Sequence, residues 1–94
     1  MTILQIEHRV PNFEGWKKAF ESDPVGRKKS GVKSYRIYRL ANDQDYIIID
    51  LVFENEADAS NMLLALQKLW VNVEGTVINN AKTRMLNLVE QKDY

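Results

Sequence analysis

The chain contains no cysteine, one histidine and only two prolines among its 94 residues. Absence of cysteine excludes a disulfide framework, a thiolate nucleophile, an iron-sulfur cluster and any cysteine-bearing zinc site. A lone histidine cannot furnish a nitrogen-rich metal centre. The chain also has no Walker loop, no nucleotide-binding glycine fingerprint, no His-x-x-x-His pair and no Ser-His-Asp arrangement in local form. No metal or organic cofactor is expected. Charge of one sign is lacking too: 13 Lys and Arg balance 13 Asp and Glu, leaving no global field to gather a phosphate backbone or an anionic membrane. Neither nucleic acid nor membrane is an expected partner. The short run Arg27-Lys28-Lys29, with no interleaved aromatics, reads as a solvated helix face. No stretch approaches the roughly 18 continuous apolar residues that cross a bilayer. No basic segment with an apolar run precedes the alternation that begins at Thr2, so a cytoplasmic location is the default expectation.

What is present suits one domain, residues 1–94, because a separate core needs roughly 50 residues or more. Hydrophobic residues make up 45% of the chain, enough for a core. A domain this small still buries only about 60 to 65% of its unfolded surface and gains from self-association. Leu4, Ile6 and Val10 alternate in a first strand that Pro11 closes. Asn12 can cap a helix whose apolar positions Phe13, Trp16 and Phe20 share one face. Ser22-Asp23-Pro24 breaks that helix and restarts a short helical turn, with Pro24 at its first position, that Gly31 ends in a left-handed conformation. Residues 32–40 and 46–53, β-branched and aromatic, flank the polar Asn42-Asp43-Gln44-Asp45 and form a hairpin. Asn55 with Asp58 resembles a cap for a helix carrying Ala59, Met62, Leu63, Leu66, Leu69, Trp70 and Val73 at helical spacing, interrupted by Gly75. Residues 84–89 read as a last strand. The order β-α-β-β-α-β is that of the ferredoxin-like α+β fold, a four-stranded antiparallel sheet with both helices on one face.

Side chains alternate across a strand, and the helix-covered set is the one without mid-strand charges. Leu4, Ile6, His8 and Val10 go under the helices with Tyr35, Ile37, Ile47, Ile49, Leu51 and Phe53, and so do Leu86 and Leu88. The opposite face receives Ile3, Gln5, Glu7, Arg9, Ser34, Arg36, Tyr38, Tyr46, Ile48, Asp50 and Val52, with Met85, Asn87 and Val89. That face is too apolar to leave in water and too polar for a plain core. A second copy packed against it, giving a homodimer, would bury the apolar part and enclose the polar groups.

The pattern His8-x-Val10-x-Asn12-Phe13-x-x-Trp16-x-x-x-Phe20, followed by Arg27, Gly31 and Arg39, resembles small dimeric α/β-barrel proteins related to the antibiotic-biosynthesis monooxygenases. It is more closely similar to a branch labelled cyclase-like. The likeness runs to about Ala59. After Leu69 the chain departs from it: residues 71–82 carry no proline where relatives have a Gly-Val and Pro-containing turn. The resemblance implies a dimeric fold and a small-molecule cavity, not a reaction. Haem-degrading members of the wider fold bind iron through a histidine on a helix, and no helix expected here carries one.

Alternation places Glu7, Arg36 and Asp50 on the helix-free face of three strands. With the first and third strands side by side at the centre, the two carboxylates are near neighbours and Arg36 is the expected intervening cation. Such a trio can bind an anionic or enolic substrate, raise one carboxylate pKa for proton abstraction, or form a buried ion-pair network with no chemistry. Tyr38 and Tyr46 are proton donors on the first reading and interface tyrosines on the second. His8 is either a general base near the rim of that site or a ring packed among Ile6, Val10, Phe13 and Trp16. Trp16 and Trp70 read as packing. Two function classes follow: a cofactor-independent oxygenase or cyclase-like enzyme acting on an aromatic or enolisable small molecule, and a non-catalytic ligand-sensing or assembly module.

Overall fold

The computed structural model describes residues 1–23, 26–73 and 79–94. Its elements are β1 (Thr2–Arg9), α1 (Phe13–Glu21), β2 (Ser34–Leu40), β3 (Asp43–Phe53), α2 (Glu56–Val73) and β4 (Asn79–Asn87). The strands form one antiparallel sheet in the order β2-β3-β1-β4. Trp16 from α1 and Ala59 and Met62 from α2 are buried in the same cluster as Leu4, Ile6, Ile47, Ile49, Leu51 and Phe53. Both helices therefore cover one face, and the fold is ferredoxin-like.

Local chemistry sets the boundaries. The Asn12 side chain accepts from Gly15 N–H at 2.9 Å and caps α1, satisfying one of the donors a helix start leaves orphaned. Asn55 does the same for Asp58 N–H, also at 2.9 Å, and the acids Glu56 and Asp58 sit in the first turn of α2, where the helix dipole favours them. Between α1 and β2, Asp23 Oδ1 accepts from Arg27 N–H at 2.9 Å, and residues 27–31 form a turn. The expected role of Pro24 falls outside the described residues, as does that of Gly75. Gly31 has φ 98°, and a Cβ there would stand 3.1 Å from the Asp58 carboxylate, so both conformation and space call for glycine.

Two expectations are corrected. The polar segment 42–45 is not the hairpin loop: β3 already starts at Asp43, and a register shift lies between Arg39 and Leu40. Asp43 is held there by an ion pair with Arg9 at 2.6 Å, and its carboxylate accepts from Asp45 N–H. In the last strand the faces are the reverse of those expected. The pairing of β1 with β4 sets Leu4 opposite Met85, Ile3 opposite Leu86 and Thr2 opposite Asn87, so Met85 and Asn87 lie on the helix side and Leu86 on the bare side. Asn87 is fixed by the Thr2 hydroxyl, which donates to it at 3.1 Å, and its own amide donates to Glu56 at 3.4 Å. Leu88 and Val89 lie beyond the strand, and Val89 is 94% exposed.

The core makes a simple contrast testable. Leu4→Ala, at a fully buried site, is expected to cost about 2 to 5 kcal/mol. Leu64→Ala, on a side chain 59% exposed, should change stability by no more than about 0.5 kcal/mol. Urea unfolding of both variants checks the difference.

Candidate functional site

Strand register orders the bare face into rows. One row runs Ser34, Val52, Ile3, Leu86 and is mostly apolar; the next runs Arg36, Asp50, Gln5, Arg84; the third runs Tyr38, Ile48, Glu7, Lys82. Glu7 and Asp50 thus stand diagonally across the two central strands, as neighbours about 7 to 8 Å apart at their Cα atoms. The structure brings Glu7, Arg36, Asp50 and Tyr38 onto one face.

Their pairing differs from the expected one. Glu7 accepts from Arg84 at 3.0 Å, and Asp50 accepts from the Gln5 amide at 2.9 Å. Arg36 lies directly opposite Asp50 in register, yet among the described residues it makes no hydrogen bond or ion pair. Arg84, not Arg36, is the cation that relieves Glu7. Gln5 is expected on this face but not as the partner of Asp50, and Arg84 escapes a reading that begins the last strand at 84 and sets Leu86 under the helices, whereas the strand is Asn79–Asn87. Applied to 79–87, the rule that mid-strand charges avoid the helix face places Arg84 and Lys82 beside Glu7 from sequence alone.

His8 does not join this group. It lies on the opposite side of the sheet, 2% exposed, with its ring edge-on to Trp16 at 6.2 Å. Its Nδ1 is 3.4 Å from the Arg9 carbonyl oxygen. Burial pushes its pKa below the ordinary 6.5, and the backbone carbonyl offsets this only in part. An imidazole so enclosed is neutral and serves packing. Among the described residues no group of three or more His, Asp or Glu side chains could hold a metal ion, and no helix is long and apolar enough to cross a membrane.

No family model matches the chain. No curated protein matches it. Solved structures do share its fold. A Deinococcus radiodurans protein described as a candidate antibiotic biosynthesis monooxygenase superposes with a TM-score of 0.69 at 10% identity, covering 100% of this chain and 98% of its own. A dimeric ferredoxin-like protein from an uncultured marine organism gives 0.67 at 11% identity, with 97% of each chain covered. A mutant of MhuD with two manganese protoporphyrin IX molecules bound per active site gives 0.64 at 13% identity over 100% of both chains. The fold is therefore that of the monooxygenase-like and dimeric ferredoxin-like proteins, at identities that speak for the fold alone.

The buried imidazole has a measurable consequence. Because the folded-state pKa of His8 is lowered, the unfolded chain binds the proton more readily, and the His8 contribution is fully present above about pH 6.5 and lost as pH falls below it. The urea midpoint should drop between pH 7.5 and pH 5, and drop less in His8→Leu. Equal drops in the two proteins would remove His8 from the acid response.

Proposed function

We propose that this chain is a small-molecule-binding protein whose site is the inner face of a barrel made by two copies. It acts there without metal or organic cofactor, as an oxygenase or cyclase-like enzyme on an aromatic or enolisable substrate. One observation carries the reading: the helix-free face holds two half-buried carboxylates and a guanidinium that pairs with nothing among the described residues, set among Ile3, Ile48, Val52 and Leu86. Such a face is unfinished in a single copy. The dimeric ferredoxin-like neighbour supports self-association.

The chemistry assigns unequal roles to the two acids. Glu7 is paired with Arg84, whereas Asp50 receives only a neutral amide from Gln5. Among the described residues no cation pairs with Asp50, which leaves its carboxylate as the group to act as general base. Asp50 would then take a proton from the carbon beside a substrate carbonyl, Arg36 opposite it would hold the enolate oxygen, and Tyr38 would return a proton. The enolate carbon attacks either a second carbonyl of the same molecule, closing a ring, or dioxygen as oxidant. The helices, residues 13–21 and 56–73, carry no histidine to meet a porphyrin iron.

A second reading, a ligand-sensing or assembly module without catalysis, is favoured by one fact: both carboxylates already have a hydrogen-bond donor.

Light scattering at micromolar concentration should give twice the 10.9 kDa chain mass; a monomer would defeat the barrel. Ile48→Asp should split the dimer, because an unpaired charge in such an interface costs roughly 3 to 5 kcal/mol. For an enolisable compound that raises the melting temperature, Arg36→Ala should abolish the rise and leave the dimer intact. Loss of the dimer instead supports the assembly module.

A further inference from the structure

The helix-covered side of the sheet is not closed at edge strand β2. Phe13, Trp16 and Phe20 of α1 form a run of rings with centroids 5.9 and 5.2 Å apart, which continues from Phe20 to Tyr35 of β2 at 5.0 Å. Phe13 and Phe20 stay half-buried and Tyr35 is 45% exposed, so an aromatic ledge faces solvent along the sheet edge.

A guanidinium stands at each end of the ledge, and the two differ. Arg27 lies 3.8 Å over the Phe20 ring, donates to the Phe20 carbonyl at 2.7 Å and pairs with Asp23 at 3.5 Å, tying the end of α1 to the turn after it. Arg39 lies 4.6 Å over the Phe13 ring, and among the described residues it makes no hydrogen bond or ion pair. A planar fork held against a ring with its donors unengaged suits bidentate recognition of a carboxylate. Asp43 is paired with Arg9 and Asp23 with Arg27, and among the described residues no ion pair joins Arg39 to Asp45, which lies opposite Val10 on the same side of the sheet. Arg39 also shares a row with Ile47 and His8, so neutral groups floor the space inward of the cation.

We infer that the edge between α1 and β2 binds a flat aromatic carboxylate, its ring on the ledge of Phe13 and Phe20 and its carboxylate on Arg39. This place lies across the sheet from Glu7, Arg36 and Asp50, and stands independently of the reading given for them.

The test titrates ¹⁵N-labelled protein with 2-naphthoate and with its uncharged analogue 2-naphthamide, following the Arg39 Nε–H and Trp16 indole signals. The acid should bind about tenfold tighter than the amide, the scale of a charge-assisted pair. Arg39→Gln should lose that preference, Arg39→Lys should keep only part of it, and Arg36→Gln should keep it all. A wild type that binds neither compound, or both equally, overturns the inference. A preference that survives whole in either Arg39 variant does so as well, and one lost in Arg36→Gln would put the acid on the other face.

Discussion

The pairing of β1 with β3, unbroken from Thr2 opposite Phe53 to Arg9 opposite Tyr46, decides which side of the sheet the other side chains occupy. Both strands are central, so each passes its parity outward, β3 to β2 and β1 to β4. A slip of one residue would turn one of the two sets, Leu4 and Ile6 or Ile47 and Ile49, away from the helices and bring Glu7 or Asp50 beneath them. Each carboxylate so enclosed without a cation carries a penalty of roughly several kcal/mol. Register is therefore strongly specified, and the two helices have one apolar surface on which to settle.

Most of this is legible in the sequence. The alternation of β1 and β3, the caps Asn12 and Asn55 and the left-handed Gly31 are local signals, each carried by a few neighbouring residues. The last strand was harder because its parity is not written in its own apolar residues. Met85 and Leu86 are equally suited to either face, and a nonlocal hydrogen bond from Thr2 to Asn87 accompanies the register that chooses between them. The same distance effect explains the candidate site. Alternation put Glu7, Arg36 and Asp50 on one face, but the partner each takes depends on side-chain reach between strands, and Arg84 and Gln5 reach first.

One sheet with helices on a single side yields two chemically unlike surfaces. On the bare side, charged groups sit among branched aliphatics at the sheet's centre. On the covered side, polar groups are pushed to the margin, where Arg27 and Arg39 stack on rings at the β2 edge. His8 illustrates the difference: one position along β1 from Glu7, it is buried and its pKa is lowered, while Glu7 is paired with a guanidinium. The backbone alone makes that separation, since adjacent residues of a strand point to opposite solvents.

Residues 47–53, Ile-Ile-Ile-Asp-Leu-Val-Phe, combine high strand propensity with a single charge. The hairpin of β2 and β3 is local and can close within microseconds, whereas β1 joins it through partners such as Gln5 and Asp50, 45 residues apart. Long-range pairing of this kind is slow. During that interval the free edge of β3 is a template for any other unfolded chain, and Asp50 is the one charge within residues 47–53. A charge at the middle of such a run disfavours pairing with a second copy of it, whether or not the finished protein uses the carboxylate.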